Sequence, residues 1–135
     1  MMILLLRMNA DLSRYMSEHY VGFMKADMIK RAIQTYQEAE ALACQVNQAH
    51  QVVLRLALSQ ATFYYEEMHS IEFAIKFTAS ALIQAKDSMA AFARDRSVNE
   101  SDLKQSAQVL QALERNLQVW KLELEEKSLL KLNKF

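Results

Sequence analysis

Glu66 and His69 stand three residues apart, a spacing at which one helix face offers a carboxylate and an imidazole to the same metal ion. A dinuclear carboxylate site needs that Glu-x-x-His motif twice, with two further inward glutamates. The sequence holds no second copy, and His19 and His50 do not cluster with His69. Corner or surface roles are therefore expected for the histidines, with no metal and no cofactor bound. Cys44 has no basic neighbours to activate its thiol, and a buried role as a small hydrophobe is expected of it. A single glycine excludes a Gly-rich phosphate loop. No catalytic constellation emerges, so an enzyme is not expected. Arg7 and Arg14 carry more. Seven residues apart, they share one helix face, with Tyr15 beside the second. Two guanidiniums and a phenol so placed suit a phosphate, gripped by bidentate charge-assisted hydrogen bonds. The same residues also suit a plainer arrangement, in which Arg7 pairs with Asp11 and Arg14 with Glu18 along one helix.

Composition narrows the frame that holds these groups. Among 135 residues there is one glycine and no proline, where average usage is about 7% and 5%. Hairpins need such turn residues, so sheet folds are excluded. Disorder is excluded too, since 52% of residues are hydrophobic and the formal net charge is zero. The 16 basic and 16 acidic residues cancel, so no overall attraction to nucleic acid or a membrane surface is expected. The apolar opening, Met1 to Leu6, is too short for a membrane span and lacks the flanks of a signal peptide. With a lone cysteine and no internal disulfide, a cytoplasmic location is expected.

The expected fold is all-α, an antiparallel array of about five helices in a single domain over residues 1–135. A first helix covers about Ile3 to Tyr20 and ends near Gly22, cheaply placed in a left-handed cap. The second, about Lys25 to Gln45, repeats Ile29, Ile33, Tyr36 and Leu42 at helical spacing. After a polar corner at residues 47–50, a third helix over about Val52 to Met68 is apolar almost all round, which places it centrally. Ser70 is expected to cap a fourth helix that lasts to about Phe92, with Glu72 in its positive first turn. Residues 94–100 read as a loop. Asn99 and Asp102 form a capping box for a long fifth helix striped with Leu103, Leu110, Leu113, Leu117, Trp120 and Leu124. Its Lys- and Glu-rich tail, from Glu125, is expected to fray.

Four stretches then add a resemblance. Residues 7–18 (RMNADLSRYMSE), 35–39 (TYQEA), 56–66 (LALSQATFYYE) and 113–120 (LERNLQVW) resemble, in this order, the C-terminal half of the 14-3-3 family of phosphoserine- and phosphothreonine-binding adaptors. The resemblance implies a groove for extended phosphorylated segments of other proteins. Arg14 and Tyr15 match the pair that grips the phosphate, and Arg7 stands where the family has a lysine. Asn116 matches an asparagine that holds the peptide backbone. Leu58, Thr62, Val119 and Trp120 match an apolar wall, and Glu66 an acid of the groove. Helical spacing is consistent with this, since residues 55, 58, 59, 62 and 66 form one stripe and residues 109, 112, 116, 119 and 120 another.

The departures are equally specific. Ser59 replaces a second backbone-clamping asparagine, Arg55 a glycine and Ala112 a leucine. The family's N-terminal helices, which carry two more cations of the phosphate pocket and the dimer interface, have no counterpart here. The sequence is accordingly expected to be part of a longer protein, with a homodimer only where such helices are present. The alternative is a tetratricopeptide-like helical scaffold that binds unphosphorylated partners.

Overall fold

The computed structural model describes residues 2–133; Met1, which opens the first apolar run, lies outside them, as do the last two residues of the tail. The helices are α1 (Met2–Ser17), α2 (Gly22–Ala43), α3 (Gln51–Glu66), α4 (Ile71–Arg94) and α5 (Glu100–Asn133). Among the described residues there is no strand, and no helix is long and apolar enough to cross a membrane. The all-α expectation is met.

Contacts between helices set the direction of each. Asp11 meets Ser59 and Arg14 meets Glu66, so residue numbers rise together and α1 runs parallel to α3. Leu54 packs with Val109 and Leu113, and Tyr65 reaches Glu123, so α5 runs parallel to α3 as well. Tyr36 meets Phe63 while Glu40 meets Gln60, which makes α2 antiparallel to α3. The result is a row of α1, α3 and α5, with α2 bridging the first two and α4 the last two.

Helix α3 contributes to all three hydrophobic clusters, as its apolar circumference predicts. Val53, Leu56 and Phe63 join α1 and α2, Leu54 joins α4 and α5, and Ala61 lies beside Ala74 and Trp120. Alanines at 10, 32, 39, 57, 61, 74 and 85 are buried, and their small side chains let the helices approach closely. Aromatic rings fill what is left: Tyr36 lies 5.5 Å from Phe63, and Tyr64 lies 4.6 Å from Phe73.

Helix ends follow local chemistry, with some corrections to expectation. Asn99 and Asp102 exchange the reciprocal bonds of a capping box, at 3.0 and 2.9 Å. His50 caps α3, its Nδ1 accepting from the Val52 amide at 3.0 Å. Ser70 occupies the N-cap of α4 but makes no side-chain bond there. Helix α1 stops at Ser17, short of Tyr20, where the serine hydroxyl donates back to the Arg14 carbonyl at 2.6 Å. Gly22 does have a positive φ of 62°, but it opens α2 instead of closing α1. The tail of α5 continues as helix to Asn133, supported by a Glu123–Lys127 pair one turn apart. Cys44 is exposed, not buried. The buried positions of α2 are 32, 36, 39 and 43, and the next residue lies about 100° around the helix from that face.

His69 ends the α3–α4 corner in the left-handed region, at φ 52°. That conformation costs an L-residue about 1–2 kcal/mol, against about 0.5–1 kcal/mol of extra chain entropy for glycine. His69→Gly is expected to raise stability by about 0.5 kcal/mol, the balance of these two terms. Urea unfolding measures it, and a lower midpoint would contradict the backbone argument.

Candidate functional site

Arg7, Asp11 and Arg14 follow one another along α1, and Arg55, Ser59 and Glu66 along α3. Because the helices are parallel, these two faces meet as successive levels along the α1–α3 interface. At the first level Arg7 and Arg55 line a recess of about 250 Å³, together with Leu4, Gln51 and Val52. The Arg55 Nε donates to the Gln51 Oε1 at 2.7 Å.

The second level is centred on Asp11. Its carboxylate accepts from the Tyr36 hydroxyl at 2.5 Å and from the Ser59 hydroxyl at 3.3 Å. Tyr36 is 2% exposed, and burial with the adjacent Asp11 carboxylate pushes its phenol far above the usual tyrosine range. It stays a protonated donor at any physiological pH. This level explains why no Arg7–Asp11 pair forms. A buried phenol without an acceptor costs about 1–3 kcal/mol, more than an exposed helix pair returns.

At the third level the Arg14 Nη1 meets the Glu66 Oε2 at 3.4 Å, with side chains 22% and 48% exposed. Arg14 thus pairs across the groove and not with Glu18. Its Nε is buried without a partner, so the fold leaves this guanidinium incompletely satisfied. Glu18, Glu66 and Glu67 bring carboxylate oxygens within 4.8 Å of one another. His69 does not join them. The helix ends at Glu66, so Glu66 and His69 never share a helix face and line only an open recess with Tyr65 and Glu123.

The remaining expected site residues are distributed unevenly. Tyr15 is exposed, its ring edge-on to His19 at 5.4 Å. Leu58 is half-buried against the α3–α5 cluster, and the Thr62 hydroxyl donates to the Leu58 carbonyl at 2.8 Å. On α5, Asn116 is half-buried and Val119 exposed. Trp120 is 5% exposed and stacks on Tyr65 at 5.1 Å, so it belongs to the core.

Tyr65 in turn donates to Glu123 at 2.5 Å. That bond raises the Tyr65 phenol and lowers the Glu123 carboxyl relative to their ordinary values. Its contribution is present above the ordinary glutamate pKa and is lost as pH falls through the lowered one. Sequence reasoning did not find Tyr36–Asp11 or Tyr65–Glu123, which join residues 25 and 58 apart. Gln51–Arg55, one turn apart on α3, was legible as an i,i+4 pair.

The model of the 14-3-3 protein family matches residues 1–121. Relatives include 14-3-3 protein beta/alpha-A of Xenopus laevis and human 14-3-3 protein beta/alpha, each 34% identical over 116 residues. The aligned part is 85% of this chain and 45% of each relative. The tomato (Solanum lycopersicum) 14-3-3 protein 9 is 31% identical over 121 residues, 89% of this chain and 44% of that protein. The chain therefore spans a little under half the length of the curated relatives it matches. With the matched segment running through all of α1 to α4 and most of α5, the chain belongs to the 14-3-3 family.

Proposed function

We propose that this chain binds phosphoserine- or phosphothreonine-containing segments of other proteins in the α1–α3–α5 groove and acts as an adaptor, without catalysing a reaction. The observation that carries the reading is Arg14, a cation held across the groove by a half-exposed acid and left with an unpartnered Nε. Family membership supports it, since 14-3-3 proteins are non-enzymatic adaptors.

Magnitudes favour an exchange of partners. The Arg14–Glu66 pair is solvated, and such pairs are worth about 0–1 kcal/mol. A phosphate carries about −1.5 to −2 charges near neutral pH and can take both arms of a guanidinium. It therefore displaces Glu66 at small cost. Tyr15 flanks the phosphate, Arg7 lies about two turns of α1 further along the ligand, Asn116 holds its backbone, and Leu58, Thr62 and Val119 take apolar neighbours. The Ser59 hydroxyl already donates to Asp11, so it is not free to act as a second clamp. A cytoplasmic location belongs to the same reading, and so does two-fold assembly in company with helices of the kind that precede this segment in the family.

A phosphopeptide and its dephosphorylated twin, titrated at two salt concentrations, test the proposal. Salt-sensitive binding of the first alone is expected. Equal binding of both would favour a scaffold for unphosphorylated partners. Glu66→Gln removes the internal competitor and is expected to tighten the phosphopeptide by up to about fivefold, the equivalent of about 1 kcal/mol. Weaker binding would mean that Glu66 contacts the ligand directly.

A further inference from the structure

The two ends of the α1–α3 groove differ in how their cations are satisfied. Arg14 faces Glu66. Arg7 and Arg55 face each other's recess, and among the described residues neither has a carboxylate within 4.0 Å. Two guanidiniums that share one recess repel, and no acid lines it. The Arg55 Nε is committed to Gln51, which orients the guanidinium and leaves its two terminal amino groups free to donate. Leu4 and Val52 supply apolar walls, which strengthen any charge interaction made inside.

We propose that Arg7 and Arg55 form a second anion subsite, which takes a carboxylate or a second phosphate carried by the same extended segment as the phosphoresidue at Arg14. The proposal rests on the phosphopeptide reading above. Its spacing follows from helix geometry. Arg7 and Arg14 are seven residues apart on α1, about 10 Å at 1.5 Å per residue. An extended peptide advances about 3.3 Å per residue. The second acidic group therefore lies about three residues from the phosphoresidue.

The test uses the full chain and four phosphoserine peptides: one with neutral flanks, one with Glu three residues before the phosphoserine, one with Glu three residues after it, and one with a second phosphoserine replacing the preferred Glu. One of the two Glu positions is expected to tighten binding several-fold over the neutral peptide. The second phosphate is expected to bind at least as tightly as the preferred Glu, and binding no tighter than the neutral peptide overturns the subsite. Arg55→Gln is expected to erase the gain of the acidic over the neutral-flanked peptide, and Arg55→Glu to turn it into a penalty. No gain at either position, or the same gain in Arg55→Gln, overturns the subsite. Failure of the phosphopeptide reading has a different signature, since the neutral-flanked peptide would then bind no better than its dephosphorylated twin. Inorganic phosphate, titrated against the arginine Nε–Hε resonances, reads the recess without any peptide. Shifts of Arg7 and Arg55 in the parent chain, with the Arg7 shift lost in Arg55→Gln, support the subsite, and unmoved resonances overturn it.

Discussion

Replacing Arg14 with alanine is expected to weaken binding of a serine-phosphorylated peptide roughly ten- to a hundredfold, the equivalent of about 1.5–3 kcal/mol for hydrogen bonds to a charged group. Lysine at the same place is expected to lose several-fold. A point charge keeps the Coulomb attraction but not the planar fork that meets two phosphate oxygens at once. The fold itself is expected to change little. The pair that Arg14 makes with Glu66 is solvated on both sides, and its Nε has no partner to lose. Fluorescence anisotropy with a labelled phosphopeptide measures the affinities, and helicity by circular dichroism checks the fold. Equal affinities for the parent chain and both variants would place the phosphate elsewhere in the groove.

Trp120→Ala is expected to act on stability, at a cost of about 3–5 kcal/mol for truncating a buried aromatic side chain. The ring is 5% exposed, lies against Ala61 and Ala74 and stacks on Tyr65. Its removal leaves a void between α3, α4 and α5 and unseats the phenol that donates to Glu123. Neighbouring alanines cannot extend into the space. Urea unfolding should show the loss as a lower midpoint with an unchanged slope. A variant of parental stability that has lost only peptide affinity would instead make Trp120 a ligand contact. The comparison with Val119 is direct, since that side chain is exposed on the preceding position of the same helix. Val119→Ala is expected to leave the midpoint within about 0.5 kcal/mol, as exposed substitutions do.

Local features were legible from the sequence because their causes lie within a few residues. The near absence of glycine and proline implied helices throughout, and the Asn99–Asp102 box placed the start of α5. The apolar circumference of α3 implied its central position. Helix ends without a distinctive cap were less certain: α1 stops at Ser17 and α5 continues to Asn133, both against expectation. The 14-3-3 resemblance, carried by the arginine-tyrosine pair, the TFYYE segment and the NLQVW segment, was visible for the same reason, since short ordered motifs survive divergence in the residues between them.

Only the tertiary structure decided which partner each charged or aromatic side chain takes. Arg14 had Glu18 one turn away, yet it pairs with Glu66, 52 residues distant. Asp11 had Arg7 one turn away, yet it accepts from Tyr36 and Ser59. Trp120 lay on the stripe assigned to the groove wall, yet it faces the core. Arg55 was legible as a new cation on its stripe, but only the packing of α1 on α3 set it beside Arg7. Helical period assigns each residue to a face, but it says nothing of the register at which two helices meet. That register is set by the burial of Tyr36, Phe63 and the small alanines between the helices, and the groove takes its charges from the levels that this packing brings together.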